Sequence, residues 1–243
     1  MVRFFVNPQE LCGDVIALTG DNAAHAKVLR LKSGEHVIAC DGNGQEAFCT
    51  FNVEEEGVLN LYVSQRYSSK SEPAIFASVY MAFSKGDKFE HVIQKATELG
   101  ATEIVAFPSS RCISKPDDKS ILKKLDRWQK IAASAAEQSG RGRIPSVVVM
   151  HDYTSALQRA AQSEMAVLFY ENEHSTTFRM ALESCNFQSI SLMSGPEGGF
   201  EEKEIKQALQ AGLRVCTLGR RILRCETAPL CALSALMYAS GEF

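Results

Sequence analysis

Several patterns that would place this 243-residue chain quickly are missing from it. No run of about 18 uncharged apolar residues occurs, the length a helix needs to cross a bilayer. The opening MVRFFVNPQE holds no apolar core of a secretory signal, so a cytoplasmic location and no membrane partner are expected. Cysteines at 12, 40, 49, 112, 185, 216, 225 and 231 form no Cys-x-x-Cys pair and have no histidine set beside them. Reduced thiols buried in apolar runs are expected, rather than disulfides or a zinc site. The five histidines show neither His-Glu-x-x-His nor His-x-His spacing, and no metal is expected. Neither a Gly-x-x-x-x-Gly-Lys loop nor Gly-x-Gly-x-x-Gly occurs, which argues against a nucleotide polyphosphate as ligand.

What is present is apolar material, 45% of the residues, enough for one large domain or two ordinary ones. A net charge of −3 argues against indiscriminate coating of nucleic acid. Its distribution says more than its total. Residues 1–72 carry six Lys/Arg against ten Asp/Glu, 104–143 carry nine against four, and 213–225 hold Arg214, Arg220, Arg221 and Arg224 with no acid. Positive charge concentrated in this way suits a phosphate-rich partner docking at one place.

The first 70 residues read as short strands and turns: RFFV, then HVIACDGNGQEAFCTFNV with its Asp-Gly-Asn-Gly turn, then VLNLYVSQRY. SSKSEP, 68–73, is polar and reads as a linker. Beyond it strands are expected near 75–83, 102–107, 146–150, 165–170, 189–194 and 214–218. Helices fall between them. Phe89, Val92, Ile93, Ala96 and Leu99 recur at three and four, as do Ile121, Leu122, Leu125, Trp128, Ala132 and Ala135, the second set following a possible cap at Asp117 or Asp118. Lys119, Lys123, Lys124, Arg127 and Lys130 share the opposite face of that second helix. Alternation of this kind implies an α/β domain with a mainly parallel sheet and helices on both sides.

In such a sheet ligands bind outside the carboxyl ends of the strands. Three loops leave those ends with unusual content: YENEHS (170–175), SGPEGGF (194–200) and LGRRILRCETAP (218–229). Gly195, Gly198 and Gly199 allow positive φ and close approach of a ligand to the backbone, and Pro196 stiffens the turn. The alternative is a plain strand-to-helix turn in which Glu197, Glu201 or Glu202 caps the next helix. An acid among the glycines would repel a triphosphate, whereas a ligand with adenine, ribose and a cationic group fits. In the third loop Glu226 and Thr227 can cap a helix whose first turn contains Pro229. Arg220, Arg221 and Arg224 there are either a solvated charge run or, with Ile222 and Leu223 packed between them, fixed guanidiniums that clamp a phosphate or face developing negative charge. AAEQSGRGRIP, 135–145, reads as a glycine-capped helix end carrying Gln138, Arg141 and Arg143.

Taken in order and spacing, HAKVLRLKSGEHVIACDGNG, KGDKFEHVIQKATELGATEIVAF, RWQKIAASAAEQSGRGRIPSV, SGPEGGF and LGRRILRCETA resemble the RsmE family of 16S ribosomal RNA uridine N3-methyltransferases over nearly the whole chain. The resemblance implies a PUA-like RNA-binding β-barrel in 1–70 and a SPOUT methyltransferase domain in 74–243, an α/β domain with a parallel sheet and a deep trefoil knot. It implies S-adenosylmethionine bent into the knot loops, a homodimer, and as partner the 16S rRNA of the small ribosomal subunit, methylated at one uridine of the decoding region. Cofactor contacts are then expected from Leu168, Tyr170 and Glu171, from Leu192 and Gly195, Pro196, Glu197, Gly198 and Gly199, and from Leu218, Gly219, Ile222 and Leu223. Arg224 is expected to face the charge on the uracil, with Glu226 or Thr227 positioning it; Arg111, Lys123, Arg127, Gln138 and Arg141 are expected on RNA. Cys225 departs from the pattern, standing where threonine is usual. A non-catalytic RNA-binding factor is the competing function, separable by whether the protein binds S-adenosylmethionine. The last helix, TAPLCALSALMYAS, is apolar on most faces, which independently calls for burial against a second copy.

Overall fold

The computed structural model describes residues 1–54, 57–114, 116–183 and 187–243. The thiol of Cys185 and the side chain of Asp118, offered above as a cap, lie outside the described residues. Two units divide the chain: Met1–Glu72 with Ala136–Ile144, and Pro73–Ala135 with Pro145–Phe243. A boundary between 70 and 74 therefore omits one segment of the first unit. That segment is tied in by the Gly142 carbonyl, which accepts from the Gly44 N–H, by the Ile144 N–H, which donates to the Gly42 carbonyl, and by Arg141, whose guanidinium reaches Glu72 at 2.6 Å.

The first unit contains β1 (Arg3–Phe5), α1 (Pro8–Leu11), β2 (Val15–Ala17), α2 (Gly20–Val28), β3 (His36–Cys40), β4 (Gln45–Val53) and β5 (Leu59–Ser68). Its five-stranded mixed sheet has the order β1-β3-β4-β5-β2, parallel only between β1 and β3. The Asp-Gly-Asn-Gly turn joins β3 to β4 because the Asp41 carboxylate accepts the N–H groups of Asn43 and Gln45, at 2.7 and 3.0 Å. Phe4, Ile16, Val37, Phe51 and Leu61 fill the core on the alternating inward positions. Glu46 is also inside, 2% exposed, and is paired with Arg3 at 2.6 Å, as a buried carboxylate must be.

The second unit holds β6 (Phe76–Ala82), α3 (Lys88–Glu98), β7 (Glu103–Phe107), all but the end of α4 (Asp118–Ser139), β8 (Ser146–Val149), α5 (Tyr153–Ala160), β9 (Met165–Phe169), α6 (Phe178–Glu183), β10 (Ser189–Ser194), α7 (Glu202–Gln210), β11 (Arg214–Cys216) and α8 (Thr227–Ala239). Its six strands run in the order β11-β9-β10-β6-β7-β8, and every ladder is parallel. β7 and β9 are buried at every residue, so both faces of the sheet are covered. The expected strands and the α/β class with its parallel sheet are thus present, and β11 lies beyond β9, so the chain between β10 and β11 crosses that neighbour. α3 follows its apolar stripe closely: Phe89, Val92, Ile93 and Ala96 are buried, and Phe89 meets Trp128 of α4 edge to face at 4.7 Å.

Some expectations are corrected. Leu122, counted in the buried stripe of α4, is 66% exposed. α4 begins where the Asp117 carboxylate accepts the Ser120 N–H at 2.8 Å. It ends, as its Gly140 signalled, in a left-handed glycine with φ +77°, the Arg141 N–H returning to the Ala136 carbonyl. Cys12 and Cys231 are on the surface rather than buried, while Cys40, Cys49, Cys112, Cys216 and Cys225 are inside, and none of these seven is in a disulfide.

Candidate functional site

β11, β9 and β10 are neighbours in a parallel sheet, so the loops that follow them emerge at one rim. They enclose a cavity of about 540 Å³, ample for a nucleoside-sized ligand. Each loop is locked by its own chemistry. The segment after β9 is zipped to the end of β11, Tyr170 donating its N–H to Cys216 and Thr217 donating to Thr176. Within it Glu173 accepts the Ser175 hydroxyl and the N–H groups of Thr176 and Ser175, which together pull its carboxyl down to about 2.

The glycine-rich turn after β10 is anchored by Phe200, 1% exposed, whose ring stacks over Phe107 at 6.5 Å and leans on Tyr153 at 5.9 Å. Gly199 has φ +67°, and a Cβ there would lie 2.2 Å from a carboxylate oxygen of Glu171. Any other residue there would strain the backbone and push the Glu171 carboxylate aside. Glu201 opens α7, and its N–H is satisfied by the buried Glu204 at 2.9 Å. Glu197 does not cap that helix. Its carboxylate turns to the N-terminus of α3, accepting the Lys85 N–H and pairing with Lys88, each at 3.0 Å.

The loop after β11 supplies Leu218, Gly219, Arg220, Arg221, Ile222, Leu223, Arg224 and Cys225 to the cavity wall. Ile222 is 85% exposed, so it does not pack the neighbouring arginines in place as expected. Order comes from the loop's end, where the Arg224 carbonyl accepts from both Thr227 and Ala228 at the start of α8. Glu226 occupies the cap position but makes no side-chain cap bond. It faces Lys88 at 3.6 Å and the Cys225 thiol at 3.2 Å. Burial pushes its carboxyl up, but its own N–H, the thiol, Lys88 and Arg224 outweigh that and hold it below the usual carboxylate range. The thiol responds the other way: burial and the neighbouring Glu226 raise Cys225 to about 12, so it remains protonated at neutral pH.

Of the residues expected on a cofactor, Tyr170, Glu171, Gly195 through Gly199, Leu218, Gly219, Ile222 and Leu223 line this cavity. Leu168 and Leu192 stand behind the wall, fully buried within their strands. Arg224 lines the cavity, Glu226 lies next to it, and Thr227 is exposed as the first residue of α8. Arg111 reaches the rim and donates to the Gly198 carbonyl at 3.0 Å. Lys123 and Arg127 flank a shallow groove on α4 with Lys130 and Ile131, and Arg127 also pairs with Glu90 at 2.6 Å. Gln138 is exposed. Arg141 is 3% exposed and paired with Glu72, so it is part of the interior and not of an RNA-facing surface. Lys88 and His174 line the cavity and were not anticipated. Lys88 follows β6, the strand that pairs with β10, and no local pattern in the sequence marks it for the cavity.

This is a ligand cavity at the carboxyl rim of a parallel sheet, and comparison with known proteins gives its class. A family described as "RNA methyltransferase domain" matches residues 71–237, and an "RNA methyltransferase PUA domain" matches 18–57. Ribosomal RNA small subunit methyltransferase E of Bacillus subtilis is 36% identical over 228 residues, 91% of this chain and 89% of that protein. Its namesake from Synechocystis is 32% identical, over 96% of this chain and 76% of the relative. A crystal structure of ribosomal RNA small subunit methyltransferase E from Neisseria gonorrhoeae bound to S-adenosyl methionine superposes with a TM-score of 0.86, at 32% identity, covering 98% and 97% of the two chains. The chain belongs to the RNA methyltransferases and, within them, to the family of ribosomal RNA small subunit methyltransferase E.

Proposed function

We propose that this chain transfers a methyl group from S-adenosylmethionine to N3 of one uridine of the decoding region in 16S rRNA. The observation that carries this reading is the cavity at the β11-β9-β10 rim, in a chain 32% identical to a relative crystallised with S-adenosyl methionine. The residues present suit that donor. A volume of about 540 Å³ accommodates an adenosine and an amino-acid arm. Gly199 leaves open the space beside the Glu171 carboxylate, an acceptor for ribose hydroxyls, and the main chain at Gly195, Leu218 and Leu223 offers donors and acceptors for adenine. Bound there, S-adenosylmethionine supplies an electrophilic methyl group on a cationic sulfur.

The rest of the chemistry belongs to the chain. Uridine N3 is protonated at neutral pH, so its proton must pass to solvent water as the N–CH3 bond forms and the methyl–sulfur bond breaks, and negative charge spreads onto O2 and O4 as the proton leaves. Arg224, exposed at the cavity wall, carries the guanidinium to face that charge. The N–H groups of Thr227 and Ala228 hold the end of its loop at the start of α8 through the Arg224 carbonyl. The protonated Cys225 serves as a weak donor to Glu226 and not as a nucleophile.

Residues 1–70 act as a PUA-like RNA-binding module and 74–243 as a SPOUT catalytic domain with a knotted chain path. Arg111, Lys123 and Arg127 contact phosphates, which fix register without reading sequence. A net charge of −3 favours the assembled small subunit over naked RNA as substrate. α8 pairs with a second copy, with Tyr238, 76% exposed, on the surface it offers. The test is mass spectrometry of 16S rRNA nucleosides from cells lacking the protein. Loss of 3-methyluridine, restored by the parental chain and not by Arg224→Ala, is expected; an unchanged nucleoside profile refutes the proposal.

A further inference from the structure

Lys88 belongs to none of the three loops that enclose the cavity, yet its side chain ties two of them together. It is the first residue of α3, and its Nζ lies 3.0 Å from Glu197, 3.6 Å from Glu226 and 3.8 Å from the Cys225 sulfur. Glu197 sits on the glycine-rich turn after β10, and Glu226 stands at the cap of α8. Two carboxylates of one wall therefore share a single ammonium. Among the described residues, the charges that act on this cluster are those of its three partners and Arg224, and Glu171, His174, Arg220 and Arg221 line the same cavity. The hydrogen bond to Glu197 holds Lys88 in its charged form above the usual lysine range, so it is not a proton acceptor.

We propose, resting on the assignment of the cavity to S-adenosylmethionine, that Lys88 is a positioning residue which sets the spacing of the two loops by holding Glu197 and Glu226 side by side. Remove the ammonium, and two like charges face each other at the cavity edge. Glu197 keeps its bond from the Lys85 N–H at 3.0 Å, so Glu226 is the group displaced. Its neighbour Arg224 moves with it, because the Arg224 carbonyl is fastened to the first N–H groups of the same helix. Lys88 thus links the donor side of the cavity to the guanidinium that faces the acceptor.

Calorimetry with S-adenosylmethionine at pH 8 and pH 5.5 tests this on the full chain. The variants are Lys88→Met, Lys88→Arg and the double variant Lys88→Met with Glu226→Gln. Lys88→Met is expected to bind about tenfold more weakly than the parent at pH 8. Lys88→Arg recovers most of the loss, and the double variant recovers part of it, since one negative charge remains where there were two. The Lys88→Met deficit, relative to the parent, shrinks at pH 5.5, because crowded carboxylates take up a proton more readily. An equal deficit at both pH values with no recovery in the double variant would assign Lys88 a packing role and overturn the inference. Unchanged affinity in Lys88→Met overturns it while leaving the proposed function intact. No binding to the parental chain would sink both.

Discussion

Replacing Gly199 by alanine separates the cost of folding the glycine-rich turn from the cost of binding a ligand against it. The residue has φ +67°, where an alanine costs about 1–2 kcal/mol. The added Cβ would lie 2.2 Å from Glu171 Oε1 and 3.1 Å from its Cδ, so one of the two must give way. Glu171 is exposed and its carboxylate can swing outward, which keeps the steric contribution to folding small. At about 2–4 °C per kcal/mol for a protein of this size, the melting temperature should fall by roughly 2–8 °C. Affinity for S-adenosylmethionine should suffer more, because the displaced carboxylate takes with it a charged hydrogen bond worth about 1.5–3 kcal/mol, roughly a ten- to hundredfold loss. Calorimetry measures that loss and thermal unfolding measures the first. Glu171→Ala closes a double-mutant cycle in which Gly199→Ala should add little further loss of affinity. Parental affinity in Gly199→Ala, or fully additive losses, would refute the role given to Glu171.

Arg224→Ala should slow methyl transfer by about 10²–10³-fold while S-adenosylmethionine binding stays within about twofold of the parent, as single-turnover kinetics and calorimetry would register. Arg141→Ala should cost about 3 kcal/mol in unfolding free energy, since it leaves the half-buried Glu72 without its cation; denaturant unfolding reads this, and the folded variant should bind small subunits as the parent does. Iodoacetamide at pH 8 should alkylate the exposed Cys12 and leave Cys225 unmodified, because a thiol raised to about 12 presents almost no thiolate; peptide mass mapping gives the answer. Lys123→Ala with Arg127→Ala should weaken binding to 16S rRNA and flatten its salt dependence by about one unit of slope per lost phosphate contact.

The parallel sheet was readable because its strands are short apolar runs buried on both faces, set between helices with clear stripes; Ser189–Ser194 and the stripe of α3 are examples. β2 and α2 went unread for a physical reason. A three-residue strand has no period, and Gly20–Val28 buries only Ala26, so it shows no apolar face. At the site, the rim and its glycines followed from the carboxyl-end rule once the strands were in place. Lys88 was out of reach because its partner Glu197 lies 109 residues away, and only the pairing of β6 with β10 brings them together. Arg141 misled because Gly-Arg-Gly-Arg after a helix looks like a solvated cap, and nothing local reveals that Glu72 lies against it. Ile222 misled in the opposite sense, since an isoleucine among arginines suggests packing that the loop does not provide.

Co-crystallisation of the chain with S-adenosylmethionine would locate the donor and its contacts. The adenosine is expected to be held by main-chain groups between Gly195 and Leu223, with its ribose against Glu171 and the methyl group open toward Arg224. Density for the ligand at any other place, with the rim of β11, β9 and β10 closed by its own side chains, would contradict this placement.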